Sequence, residues 1–329
     1  MIESIEAREK DMSDYAIGID LGGTKIAGAL IDRQGRVLKQ VKRLTLAQEG
    51  VDAVVDRIVA CIRELLTVSP GSLAGIGLGA PAAVDSQRQI VTSAGNLGWY
   101  DVPLGALLSK KLGEAWPDFF WLDKDVSAAT LCEALYGAGQ GVRYLIYVAV
   151  GTGVGAGQIL NGGLYCGAHG SDGNIGHYIL DSGGEVCVCG KRGCVETLSS
   201  GPSIVRRTVV ALNNHESSLL ATLDSRTITA VEVVEAAKAG DQLARRVLAE
   251  AGRYLGIALA FYIDMMNPEL VIIGGGMMAA GDLLLDPLRQ ALQEWALPVN
   301  VEPLLVVPAA VRNASAIGAA AFVWHFNPD

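Results

Sequence analysis

Two glycine turns, each set between β-forming runs, constrain this chain more than any other feature. The first lies in "YAIGIDLGGTKIAGALIDRQGRVL" (Tyr15–Leu38), the second in "YLIYVAVGTGVGAGQILNGGLY" (Tyr144–Tyr165). Each reads as strand, Gly-rich turn, strand, and the first turns again at Asp32–Gly35, so both are β-meanders and not strand–helix units. A meander that recurs after about 130 residues implies two related α/β halves, each with a mixed sheet, and a ligand cleft expected between them. No low-complexity linker separates the halves, which favours a hinge over a tether.

The intervening segments fit that plan. "VDAVVDRIVACIRELL" places Val54, Ile58, Ile62 and Leu65 on one helical face. "LAGIGLGAPAAVD" reads as a buried strand ending in a Gly/Pro loop, and "GNLGWYDVPLGALLSKKLG" as loop and then helix. "FFWLDKD" (Phe119–Asp125) is a strand that leads into the helix "VSAATLCEALYGAG". Several helices fill roughly 201–265, "LVIIGGGMMAAGDLLLDPLRQAL" is strand, turn and helix, and "NASAIGAAAFVWHF" is a helix of small residues. A chain of 329 residues, 50% hydrophobic and 19% charged, can bury two cores of ordinary size. The expected division is a polar extension over 1–14, a smaller α/β domain from 15–122 plus 311–329, and a larger one over 123–310.

A net charge of −9 without a Lys/Arg cluster argues against nucleic acid as the main partner. The first 14 residues lack the apolar core of a signal peptide, and the longest apolar runs are too short to span a bilayer, so no membrane role and a cytoplasmic location are expected. In that reducing compartment clustered cysteines point to metal or catalysis. Cys187, Cys189 and Cys194 form C-x-C-x₄-C, with His177 ten residues upstream. Three thiols and an imidazole complete a closed tetrahedral shell, the structural form of zinc site. Cys61, Cys132 and Cys166 read as small buried hydrophobes, and His169, His215 and His325 as incidental.

The glycine turns offer backbone N–H groups to an anion without side chains in the way, which suits phosphate. Around the first, Asp20 could hold Mg²⁺ through water, and Thr24 and Lys25 add polar contacts to Gly22 and Gly23. "GTGVGA" also fits a dinucleotide fingerprint, but the strand "GQILNGGLY" follows it where a helix is required. No P-loop motif occurs. Phosphoryl transfer would further need a base beside the attacking hydroxyl. "WLDKDVSAATLCE" offers Asp123 and Asp125, and strand alternation, which points both the same way, does not choose between them.

Together these motifs resemble the actin-like sugar kinase superfamily, and within it the ROK family (repressors, open reading frames, kinases), over nearly all of Tyr15–Phe326. "IGIDLGGTKIAGALID" is similar to the family's first phosphate motif and "VGTGVGAG", with Gly151, Thr152 and Gly153, to the second. "VIIGGGMM", with Gly274, Gly275 and Gly276, is similar to its adenosine loop. The resemblance implies an actin-like (ribonuclease H-like) fold with five-stranded mixed sheets, ATP and Mg²⁺ as co-substrate and cofactor, and a structural zinc on His177, Cys187, Cys189 and Cys194. It also implies Asp125 as base, sugar contacts at Asn96, His177 and Glu196, and a homodimer or homotetramer. Where family kinases carry Asn before the base and Glu before I-G-H, this chain has Lys124 and Asn174. Ser127 and Ala82 are smaller departures. If both Lys124 and Asn174 face the substrate, the pocket gains about two positive charge units, one from each exchange, and a modified sugar, a cyclitol or an acidic ligand is expected. Alternatively Lys124 pairs with Asp123 or Asp125, or Asp125 merely caps its helix. The implied activity is ATP-dependent phosphorylation of a primary hydroxyl. The alternative is a sugar-binding regulator without catalysis, for which 14 residues before the first strand leave no room for a DNA-binding module.

Overall fold

The first meander is built as its sequence predicts: β1 (Tyr15–Leu21), β2 (Lys25–Asp32) and β3 (Val37–Leu44) pair antiparallel in succession. The computed structural model describes residues 15–81 and 83–327; the 1–14 extension and Ala82 fall outside it. Helix α1 (Val51–Leu66) follows, with Val54, Ile58, Ile62 and Leu65 fully buried as the periodicity requires. Strand β4 (Leu73–Ala80) then runs parallel to β1.

Three short strands that the sequence reading does not single out come next: β5 (Ala83–Asp85), β6 (Ile90–Ala94) and β7 (Trp99–Val102) form a small antiparallel sheet. After α2 (Leu104–Leu112), β8 (Phe120–Lys124) closes the first main sheet in the order β3-β2-β1-β4-β8, and α3 (Asp125–Tyr136) begins at once.

The second meander gives β9 (Leu145–Val150), β10 (Val154–Leu160) and β11 (Gly163–Tyr165). Helices α4 (Val195–Ser199), α5 (Gly201–Asn213), α6 (Ala230–Lys238) and α7 (Gln242–Met266) follow, α6 opening on a Thr229/Glu232 capping box. Strand β12 (Leu270–Gly274), α8 (Asp282–Trp295), α9 (Pro298–Val301) and β13 (Leu305–Pro308) complete a second five-stranded sheet, β11-β10-β9-β12-β13. The chain ends in α10 (Ala314–Phe326). Both main sheets are mixed and five-stranded, as expected of the fold.

By its contacts the chain forms two units. Among the described residues, those up to Gly141, Leu164–Asp172 and those from Ala310 onward make the first; Val142–Gly163 and Gly173–Ala309 make the second. Helix α3 belongs with the first because it packs on α10 through Ala128, Leu131, Ala319, Ala321 and Phe322. The small residues of α10 have a geometric cause. On one sheet face Ile17, Ile19 and Leu21 join the α1 core. On the other, Gly18 and Gly77 lie so close to α10 that a Cβ on Gly77 would overlap the Ala319 carbonyl oxygen. Gly77→Ala is therefore expected to cost about 2 kcal/mol or more in chemical denaturation, since the clash is with backbone and no rotamer relieves it. An unchanged midpoint would show that the helix can lift at no cost.

In the second unit Ile146, Val148 and Val150 of β9 and Val271 and Ile273 of β12 carry the core against α5–α8. Asp241 anchors the 25-residue α7, accepting hydrogen bonds from Ala244 N–H (2.8 Å) and Leu219 N–H (2.6 Å).

Candidate functional site

In the first unit the polar residues collect where β1, β4 and β8 end. Register places Asp20 opposite Gly79, and Gly79 opposite Asp123. The C-terminal ends of such strands are where α/β sheets bind ligands. The β1–β2 turn is closed by Gly22 N–H donating to the Lys25 carbonyl at 3.0 Å, leaving Thr24 and Lys25 exposed. Asn96 reaches this turn, and a Cβ on Gly23 would stand 3.2 Å from its Nδ2, so Gly23 has room for little else. Gly79 likewise admits the first residue of α3, with Asp125 Cα 3.1 Å from where a Cβ would be.

The two aspartates around Lys124 differ, contrary to the expectation from strand alternation. The strand ends at Lys124, so Asp123 is fully buried in β8 while Asp125 is the first residue of α3 and half-buried. Asp123 is committed to structure: its Oδ1 accepts Lys124 N–H at 2.7 Å, and its Oδ2 lies 3.5 Å from both Trp121 Nε1 and Cys166 Sγ. Asp125 accepts its neighbour Val126 N–H at 2.7 Å, a bond that ties its carboxylate to the first turn of α3, for which Lys124 is the N-cap. Burial pushes Asp125 up to about 6, with the Val126 N–H and the Lys124 charge holding it from going higher. Burial also pushes Asp20 up to about 7, the charge of Asp125 adding to the effect and Lys25 opposing it.

Lys124 is the clearest departure from the sequence reading. It pairs with neither Asp123 nor Asp125. Its ammonium donates to the Asp172 carbonyl at 2.9 Å and forms a salt bridge with the Asp172 carboxylate. Its charge is thus offset inside the protein, and the gain of two positive units in the pocket does not stand. The sequence carried one signal of this: a lysine ending a buried strand needs an anion. Cys166, read as a small hydrophobe, is half-exposed and lies against Asp123; Cys61 and Cys132 are buried as expected. His169, His215 and His325 are exposed.

In the second unit the parallel pairing of β9 with β12 brings two glycine turns side by side. Gly275 has φ +88° and lies so close to β9 that a Cβ would overlap the Val150 carbonyl. The Gly151 carbonyl accepts Gly201 N–H at the start of α5 (2.8 Å), and Thr152 is exposed at the turn. Glu196 in α4 accepts Val154 N–H at 3.1 Å, and a Cβ on Gly153 would be 2.6 Å from its Oε2. Gly274 is buried, under Tyr147. Asn174, exposed, precedes the turn Ile175–His177.

His177, Cys187, Cys189 and Cys194 converge, their donor atoms all within 4.8 Å of one another. Cys187 Sγ is 3.6 Å from His177 Nδ1, and Cys189 Sγ 3.6 Å from Cys194 Sγ. Tetrahedral Zn–S and Zn–N bonds require donor separations of about 3.5–3.8 Å, so the quartet fits such an ion. Cys187 Sγ also lies 3.9 Å from Glu196 Oε1, which places the quartet beside the Gly153 turn.

Two α/β units, each led by a β-meander with a glycine turn at the strand ends, define an actin-like, ribonuclease H-like fold. The chain belongs to the ROK family, whose model matches residues 16–325. It is 35% identical over 312 residues to a glucokinase of Thermotoga maritima, covering 93% of this chain and 96% of that one. The structure of a ROK family glucokinase from Streptomyces griseus, in complex with glucose and AMPPNP, superposes with a TM-score of 0.83 at 31% identity, covering 94% of this chain and 98% of that one. The DNA-binding transcriptional repressor Mlc of Escherichia coli is 30% identical over 277 residues, 82% of this chain and 66% of Mlc. Among the described residues no helix is long and apolar enough to cross a membrane.

Proposed function

We propose that the protein is an ATP-dependent sugar kinase that transfers the γ-phosphate to a primary hydroxyl of a hexose, with Asp125 as general base. The observation that carries this reading is the meeting of the Gly22–Gly23 turn, Asp20 and Asp125 at the C-terminal ends of β1, β4 and β8. A carboxylate with a pKa of about 6 is ionised at neutral pH yet basic enough to accept a hydroxyl proton. As the hydroxyl oxygen forms its bond to the γ-phosphorus, the bond to the ADP oxygen breaks and the proton passes to Asp125. Little further covalent help is needed; the remaining work is positioning and charge neutralisation.

Each unit supplies its own groups. In the first, Gly22, Gly23, Thr24 and Lys25 would hold phosphate oxygens and Asn96 a sugar hydroxyl. Asp20, a hard oxygen donor, suits Mg²⁺, which when bound would neutralise phosphate charge. In the second, Gly151, Thr152 and Gly153 would hold phosphate, Gly274–Gly276 would approach the adenosine, and Glu196, His177 and Asn174 would reach the sugar. The quartet His177, Cys187, Cys189 and Cys194 would hold zinc with no open coordination position, which makes it a structural ion.

Because Lys124 is paired, an acidic ligand loses its support, and glucose becomes the first substrate to test. A coupled ATPase assay across glucose, mannose, N-acetylglucosamine, inositol and glucuronate is expected to show the highest kcat/KM with a neutral hexose. Preference for glucuronate would reverse that assignment. The likeness to Mlc keeps a sugar-binding regulator as the second reading, and ATP turnover separates the two.

A further inference from the structure

The segment that ends at Asp172 has four fixed points, all in the first unit. Leu164 packs in the α3–α10 cluster with Trp121, Tyr136 and Phe326. Cys166 Sγ lies 3.5 Å from Asp123 Oδ2. Gly170, at φ +64°, sits so close to β5 that a Cβ would stand 2.7 Å from the Val84 carbonyl oxygen. Asp172 closes the series on Lys124, the two side chains being 5% and 8% exposed. Two of the four points fall on Asp123 and Lys124, the residues immediately before Asp125.

A buried ion pair is weak evidence for stability, because its desolvation cost is close to its Coulombic gain; its better-attested use is to fix one arrangement. Here the lysine is held at both ends. Its backbone N–H donates to Asp123 Oδ1 at 2.7 Å, and its ammonium takes both the carbonyl and the carboxylate of Asp172. A lysine so enclosed has its charge and two of its three ammonium donors engaged within the protein.

We propose that Lys124 is a positioning residue: clamped to Asp172, it straps residues 164–172 to the β8–α3 junction and thereby fixes the placement of Asp125. The kinetic side of this proposal rests on the reading of Asp125 as base; the strap itself does not. Small displacements of a base from its acceptor reduce turnover by up to about a hundredfold without altering the groups that bind the sugar. Loss of the clamp therefore acts on kcat and not on KM.

The test uses the full chain as K124M, D172N and K124R. Amide hydrogen exchange across 164–173 is expected to speed up about tenfold or more in K124M and D172N, while the β9 and β12 amides keep wild-type protection. K124R should restore most of it. With glucose, kcat is expected to fall about tenfold or more in the first two variants with KM within about threefold of wild type, and K124R to recover most of the loss. Should D172N fail to fold, the double variant K124M/D172N removes the unpaired charge and is expected to show the same fast exchange. Wild-type exchange in K124M would overturn the strap. A raised KM at unchanged kcat would overturn the positioning role and make Lys124 a sugar contact. A wild-type protein that consumes no ATP with any sugar would remove the kinase reading alone, and the exchange arm then decides the strap by itself.

Discussion

Asp125→Asn is expected to lower turnover on glucose by about 10²–10⁴-fold, the range a positioned general base supplies, with glucose affinity retained. The pH dependence adds a second mark. Asp125 is raised to about 6, mainly by burial, so the wild-type acid limb of kcat/KM falls as pH drops through about 6. The stability effect has the opposite sign to that of a salt-bridged carboxylate. A carboxyl whose folded pKa lies above its unfolded value favours the folded state only when protonated, so its contribution becomes unfavourable as pH rises from about 4 to about 6. At pH 7 the asparagine variant should melt no lower than wild type. A much lower melting temperature would mean that activity was lost through unfolding and not through loss of the base.

Removal of the proposed zinc is expected to have the largest structural effect. Cys194 is fully buried and is also the N-cap of α4, one residue of separation from Glu196. A bound ion would therefore order the 177–194 loop, the start of α4 and, through Glu196, the Val154 N–H beside the Gly153 turn. Metal-binding free energy in such sites is folding free energy. Cys194→Ser should purify with less than one zinc per chain by elemental analysis and melt about 4 °C below wild type, the shift expected for about 3 kcal/mol in a chain of this size. Glucose turnover should fall with it, because Glu196 loses its support. Wild-type protein that carries no metal and melts unchanged in chelator would show that the thiols only pack together.

Both meanders, α1 and the convergence of His177 with the three cysteines were legible because their signals are local: a glycine turn between apolar runs, a period of 3.6, and cysteines at fixed spacing. The small sheet β5-β6-β7 was not, since its strands are three to five residues long and are broken up by Gly95 and Gly98. The candidate site divides the same way. Asp20, the glycine turns and Asp125 could be named from sequence, but Asp125 was misread as a strand residue because helix α3 starts one residue earlier than its apolar pattern suggests. The pairing of Lys124 with Asp172 spans 48 positions and joins two segments that no periodicity links. That pairing reverses the sequence-based argument for an acidic ligand, which counted the lysine charge without its partner.

The most direct test follows the phosphoryl group itself. Purified protein is mixed with γ-labelled ATP, Mg²⁺ and glucose, and the label is traced by mass spectrometry while glucose binding is measured calorimetrically on the same preparation. The account predicts label on the primary hydroxyl of glucose with wild type and none with Asp125→Asn, although both bind the sugar. Wild-type protein that binds glucose and leaves the label on ATP would contradict it and make the chain a sugar-binding regulator.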